Sequence, residues 1–278
     1  IQKPGVSGDI YNAEYMTTLK ELTNSVFFTP GMDRPRVSSL FTPDVRYVEV
    51  REEGLYGGNV IPAEYAPTPE MMEIVRNNVT RAKVTGRYVT NDLNGAMVFS
   101  ELLDRNPITD EPLDYVKTAH RIEEVRRQFT VPRMVQYRLK ADSPPLKAGA
   151  VVHTAYSTGD GWWTRFSPIE TRVTLADGTQ ETRLYSRGEL TSEELANPDY
   201  NANVDIHIVG FAKVVGDIAD ASFEVVGFFA LTIFLTWIIL WWYTGSPLIA
   251  LLPLSCGVLA VVWELGILHM AGYGLDPF

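Results

Sequence analysis

The chain has 278 residues and a formal net charge of -10, with 34 Asp and Glu against 24 Lys and Arg. An acidic balance of this size leaves nothing to neutralise phosphates and excludes a nucleic-acid partner as the reading of choice. A single cysteine, Cys256 inside an apolar run, excludes an internal disulfide framework and a thiolate metal cluster. No Lys or Arg follows Lys213, and the acidic residues beyond it are Asp217, Asp220, Glu224, Glu264 and Asp276. Residues 1–212 therefore read as a mixed, water-facing domain and 213–278 as a membrane region.

The opening Ile1-Gln2-Lys3-Pro4 has neither a basic n-region nor an apolar h-region, so it is no signal peptide, and the chain is expected to be a fragment. Residues 9–28 then predict a helix. Asn12 supplies the cap, Tyr15, Met16, Leu19, Leu22 and Val26 recur on one face, and Pro30-Gly31 ends it. Residues 45–50 read as a strand. The Gly- and Pro-bearing stretch 54–67 reads as a loop. A second helix is expected over 68–82, with Thr68 as cap, Pro69 in the first helical position and Glu70 at the positive end of the dipole. Residues 94–103 read as a strand centred on Met97, Val98 and Phe99.

A third helix is expected over 114–129, capped by Asp114, with Tyr115, Ala119, Ile122 and Val125 as its buried stripe. From 131 to 187 the pattern turns to strands. Segments 149–156 and 164–166 flank a turn at Gly159-Asp160-Gly161, and 171–175 and 179–185 flank Asp177-Gly178, a strong hairpin signal. Residues 189–200 read as a short helix or a loop, and 204–208 as a strand.

Two apolar runs close the chain, giving expected membrane helices over about 222–243 and 247–271. Each is long enough for one bilayer crossing. The four residues Thr244-Gly245-Ser246-Pro247 allow only a tight turn, so the runs form a helical hairpin. Trp241, Trp242 and Tyr243 cluster at that turn as an interfacial aromatic belt. The alternative, two buried core helices, fits poorly with runs so long and so free of charge. The positive-inside rule is nearly silent here, because the turn carries no basic residue.

No enzyme signature is present: no G-x-S-x-G, H-E-x-x-H, phosphate-binding glycine loop or dinucleotide fingerprint. No cofactor or metal is implied. His120, His153, His207 and His269 have no metal-ligand spacing among them. Glu264 and His269 lie in the second apolar run, where an ionisable group is a functional candidate by default. Both are candidates for proton coupling. Their bland readings are a neutral, hydrogen-bonded carboxyl for Glu264 and a solvated imidazole near the interface for His269. Glu224, at the start of the first run, reads as interfacial. Trp162-Trp163, beside a turn, are candidates for contact with substrate or partner, or else the lid of a local core. Gly227, Gly257 and Gly266 could allow close helix packing.

Several segments resemble one family in order along the chain. They are Gly8-Asp9-Ile10-Tyr11-Asn12-Ala13-Glu14-Tyr15, Phe41-Thr42-Pro43-Asp44-Val45, Val48-Glu49-Val50 and Glu52-Glu53-Gly54. They continue with the run Ile206 through Asp217, then Val261-Val262-Trp263-Glu264-Leu265-Gly266 and Gly272-Tyr273-Gly274-Leu275-Asp276-Pro277-Phe278. Together they resemble permeases of the resistance-nodulation-division (RND) superfamily, in particular bacterial predicted exporters close to the MMPL branch. The stretch from about 131 to 201 looks like an insertion relative to that pattern.

The resemblance implies an α+β fold: ferredoxin-like (βαβ) periplasmic porter subdomains with a β-hairpin insertion, followed by a two-helix transmembrane hairpin. It places a first transmembrane helix before Ile1, the large domain in the periplasm and the hairpin in the bacterial inner membrane, its turn facing the cytoplasm. It implies a proton-driven exporter of hydrophobic or amphiphilic substrates, lipids among them, and no enzyme. The implied partners are membrane lipids, the substrate, the remaining transmembrane helices of the same permease, periplasmic or outer-membrane proteins and further copies of the chain. The family's proton-relay acids lie on a later helix, so no relay role passes to Glu264. A second reading is a membrane-anchored docking or assembly module, motivated by the β-rich insertion.

Overall fold

The first helix, α1 (Ala13–Phe28), forms where expected because Asn12 accepts the Tyr15 N–H at 2.8 Å and satisfies one orphan donor of the first turn. This computed structural model describes residues 1–6, 8–52, 54–106, 110–144, 146–156, 169–174 and 180–272. The fold is α+β, with small antiparallel sheets and a C-terminal pair of apolar helices. The chain divides into two units, Ile1–Ile208 and Val209–Phe278.

In the first unit, α1 buries Tyr15, Met16, Leu19 and Thr23. Helix α2 (Pro69–Ala82) starts on Thr68, which accepts the Met71 N–H at 3.3 Å, and buries Met72, Val75 and Val79 in the same cluster. Helix α3 (Tyr115–Thr130) starts on Asp114, which accepts the Lys117 N–H at 2.9 Å. Its buried residues are Thr118, Ala119 and Phe129; Tyr115, Ile122 and Val125 of the expected stripe are only half-buried. The Thr118 hydroxyl instead bonds back to the Asp114 carbonyl, which lets a polar side chain occupy the packed face.

Strand β1 (Arg46–Arg51) lies where expected, but the loop expected after it begins with a second strand, β2 (Gly54–Asn59), paired antiparallel from Arg46↔Asn59 to Arg51↔Gly54. Three glycines in six residues hide this strand from propensity. At one of them a side chain would have to displace a neighbour: a Cβ on Gly58 would sit 2.9 Å from the Tyr47 hydroxyl. The hydroxyl end of Tyr47 lies against Gly58, and the Arg81 guanidinium carbon is 4.1 Å from the ring centroid.

Residues 94–103 do not form the expected strand. They make isolated bridges to three different partners, Val89↔Ala96, Ser38↔Phe99 and Met32↔Leu102, so no continuous ladder develops. Residues 204–208 likewise keep only the bridge Gln2↔Val204. In the insertion, β3 (Arg133–Leu139) pairs with β4 (Val151–Ala155) on one side and β7 (Leu190–Ala196) on the other. Strand β7 replaces the expected short helix or loop. Leu190-Thr191-Ser192-Glu193-Glu194 lacks alternation, and its full-length pairing with β3 decides its conformation. Strands β5 (Ile169–Thr174) and β6 (Gln180–Tyr185) pair from Ile169↔Tyr185 to Thr174↔Gln180, flanking the Asp177-Gly178 signal, which lies outside the described residues. A second core of Tyr137, Leu139, Val152, Ile169, Tyr185 and Leu190 holds this region together.

The second unit is α4 (Phe211–Thr244) and α5 (Pro247–Met270), both long and apolar enough to cross a membrane. Helix α4 begins well before its apolar run; an i,i+4 pair, Lys213 Nζ to Asp217 Oδ1 at 2.7 Å, supports that polar start.

Candidate functional site

Only Gly245 and Ser246 separate α4 from α5, so the two helices run antiparallel. Gly245 takes the left-handed φ of 70° that closes α4, and its N–H donates to the Trp241 carbonyl at 2.8 Å. The Trp237 indole N–H donates to the Pro247 carbonyl at 3.3 Å and fastens the start of α5 to the last turns of α4. Phe234, Trp237 and Trp241 form a ring ladder, with centroids 6.1 and 5.5 Å apart. Trp242 and Tyr243 beside them are each 89% exposed.

Above the turn, Ala230, Phe234 and Trp237 of α4 line one cleft with Leu251, Leu254, Ser255 and Val258 of α5. The cleft is almost wholly apolar. The hydroxyls on the apolar stretches bond to carbonyls of their own helix: Thr232 to Phe228, Thr236 to Thr232 and Ser255 to Leu252, each at 2.8 Å. Pro253 takes one donor out of α5, leaving the Ile249 carbonyl without its i+4 partner.

Every step along α4 away from the turn is matched by a step along α5. Glu224 lies 20 positions before Thr244 and Glu264 lies 17 positions after Pro247. At about 1.5 Å per residue, the two carboxylates are level to within about one helical turn. Both are exposed, and neither has a hydrogen bond or ion pair among the described residues. His269 follows Glu264 by five residues. That spacing turns it about 140° around the helix and moves it about 7.5 Å further along. Glu264 and His269 therefore share an end of α5 but not a face. The structure brings Glu224 and Glu264 to one level, a relationship that sequence reading missed by treating each run separately. Counting residues outward from the turn would have shown it.

Trp162 and Trp163 lie outside the described residues. Among the described residues, no group of three His, Cys, Asp or Glu side chains is placed to hold a metal ion. His207 faces Asp205 at 3.4 Å, and His153 stacks on Tyr137 with centroids 6.1 Å apart. Cys256 is exposed on α5. Comparison with protein-family models, curated proteins and solved structures finds no match.

Proposed function

We propose that this chain is part of a proton-driven transporter of the RND superfamily, MMPL-like, which exports hydrophobic or amphiphilic substrates such as lipids. The observation that carries this reading is an antiparallel pair of apolar helices whose titratable groups gather at the end away from the turn. Residues 225–244 carry no charge, and twenty residues of helix reach about 30 Å, the thickness of a bilayer's hydrocarbon core. Internally bonded hydroxyls suit that environment, because lipid offers no competing partners. The aromatic cluster at the turn suits one interface, and Glu224, Glu264 and His269 lie near the other.

On this reading the first unit is the periplasmic porter domain, built on ferredoxin-like units, and the hairpin sits in the bacterial inner membrane beside further helices of the same permease. The insertion serves as an added contact region. Glu264, level with Glu224, exchanges protons near the membrane boundary and helps couple their movement to the porter domain. His269, on another face, tunes that exchange. Burial between helices would raise the cost of the charged carboxylate and make its protonation responsive to packing.

The test is reconstitution of the full-length protein in proteoliposomes under an imposed pH gradient, following a fluorescent lipid probe and lumenal pH together. Coupled movement of both, abolished when an ionophore collapses the gradient, is expected. Probe movement indifferent to the gradient, or none at all, would overturn the reading. The separate core of the insertion favours a second reading, a membrane-anchored docking module of an envelope complex. That reading gains if deleting the insertion abolishes capture of envelope proteins while probe binding persists.

A further inference from the structure

Strand β2 (Gly54–Asn59) is one half of a two-stranded sheet, and its ladder with β1 fixes which of its backbone groups face outward. The register runs Arg51↔Gly54, Glu49↔Tyr56 and Tyr47↔Gly58. One step further on the same alternation, the Val60 N–H donates to the Val45 carbonyl at 3.1 Å. In an antiparallel ladder every second residue exchanges its N–H and C=O with the partner strand. Gly54, Tyr56 and Gly58 therefore point inward to β1, and the N–H and C=O groups of Leu55, Gly57 and Asn59 point outward. Those outward groups have no hydrogen bond among the described residues, and all three residues are exposed.

An open edge of this kind pairs with another strand, and natural proteins blunt such edges with charges, proline, a bulge or a cover. β1 carries Arg46, Glu49 and Arg51. β2 reads Gly-Leu-Tyr-Gly-Gly-Asn: it has no charge and no proline, and its register with β1 runs unbroken through six pairs. None of the usual guards stands on its outer edge. The sheet is also short of strands, since three or more with an apolar face are needed for independent stability. One face of the hairpin meets Arg81 of α2 through Tyr47 and Glu49. On the other, Val48, Val50 and Leu55 stay 68%, 83% and 76% exposed.

A second copy of β2 matches this edge. Two antiparallel strands related by a two-fold axis perpendicular to the sheet keep their faces, so opposed residues lie an even number of positions apart. The register that uses all three outward residues is centred on Gly57. Gly57 then faces the second copy's Gly57, Leu55 faces its Asn59 and Tyr56 faces its Gly58. Three hydrogen-bonded pairs of this kind exchange about six N–H to C=O bonds. Glycine at the axis lets the backbones approach, and each Tyr56 stands opposite a residue without a side chain, as when an aromatic ring covers a glycine across a ladder. The chain carries a net charge of -10, yet no charge of β2 meets its like at this edge. We propose that β2 is a homotypic interface: two copies of this chain join edge to edge through it, in the strand order β1-β2-β2-β1. A single pair of edges is a small contact, so the association is weak and reversible.

The test is disulfide mapping of the full-length protein in native membranes, in a Cys256→Ser background. Leu55→Cys and Asn59→Cys are made as separate chains and co-expressed. Hydrogen-bonded antiparallel pairs hold their Cα atoms about 5.5 Å apart, within the span of a disulfide. Mild oxidation of the mixture should link unlike chains, about half of the total when copies pair at random, and either variant alone should give no dimer. No dimer in the mixture, or as much from Leu55→Cys alone, would overturn the pairing. A cross-link from Leu55→Cys to a different protein would overturn the second copy as occupant. A further measurement needs no cysteine: amide exchange of the full-length protein in detergent at rising concentration. The N–H groups of Leu55, Gly57 and Asn59 should slow about tenfold once dimer outnumbers monomer tenfold, while those of Tyr56 and Gly58, already bonded to β1, should not change. Asn59→Pro removes one outward N–H and leaves the β1 ladder intact, so it should abolish the slowing. Exchange that does not depend on concentration would overturn the interface.

Discussion

The hydroxyl of Tyr15 on α1 accepts the backbone N–H of Ala96 at 2.8 Å, joining residues 81 positions apart. Tyr15 is 5% exposed, and burial pushes its phenol up to about 12, with the Ala96 N–H acting in the opposite direction. A raised acid contributes stability that is complete below its unfolded value of 10 and is lost as pH climbs through 12. Tyr11 acts in the same window, raised to about 12 by burial and then by the charge of Asp9, against the opposing charge of Arg76. Tyr15→Phe should cost about 1–3 kcal/mol at neutral pH, because it orphans the Ala96 N–H. It should also shrink the loss between pH 10 and 12. Urea midpoints at pH 7 and pH 11 measure both effects; an unchanged alkaline loss would show that Tyr15 does not titrate with unfolding.

The hairpin of β1 and β2 is tied to α2 by one stack. Arg81 covers the Tyr47 ring and grips Glu49 through Nε at 2.5 Å and Nη2 at 2.7 Å, while Gly58 lies against the hydroxyl end of the ring. Gly58→Val should displace the ring and cost about 1–3 kcal/mol, the usual penalty for overpacking. Arg81→Lys keeps the charge but loses the fork and the stacking plane, so it too should lower the midpoint. If Gly58→Val leaves the melting curve unchanged, the ring is not held against the glycine.

At the helical turn, Trp237→Phe removes the donor to the Pro247 carbonyl and keeps the ring ladder. A hydrogen bond of this kind between helices in a membrane contributes about 0.6 kcal/mol. Trp237→Ala, which also loses the contacts with Phe234 and Trp241, should cost more. Forced unfolding of the hairpin in a bilayer reads the difference. Equal losses for both variants would assign the whole effect to the hydrogen bond.

In the full-length protein, Glu264→Gln should insert and fold normally, because the carboxylate has no partner among the described residues to lose. On the proposed transporter reading it should slow proton-coupled movement of substrate, with Glu224→Gln producing a smaller loss of the same kind and His269→Ala shifting the pH profile without abolishing transport. Wild-type rates and pH dependence in Glu264→Gln would remove that residue from the coupling.

Local chemistry carried much of this fold. Asn12, Thr68 and Asp114 each announce a helix start because a cap needs only a short polar side chain three residues before a free N–H. The membrane-length helices were equally plain, since twenty uncharged residues in a row leave a pattern that no partner has to supply. What sequence could not decide was pairing. β2 exists because β1 pairs with it along its full length, and β7 because β3 lies beside it; 94–103 failed as a strand because its residues bridge three separate partners. The same holds for the sites. Glu264 was visible as an ionisable residue in an apolar run, but its level with Glu224 depends on where α4 turns into α5. Caps and hydrophobic runs are set by neighbours along the chain, whereas ladders, levels and pockets are set by contacts between distant residues, whose chain separation leaves no local mark.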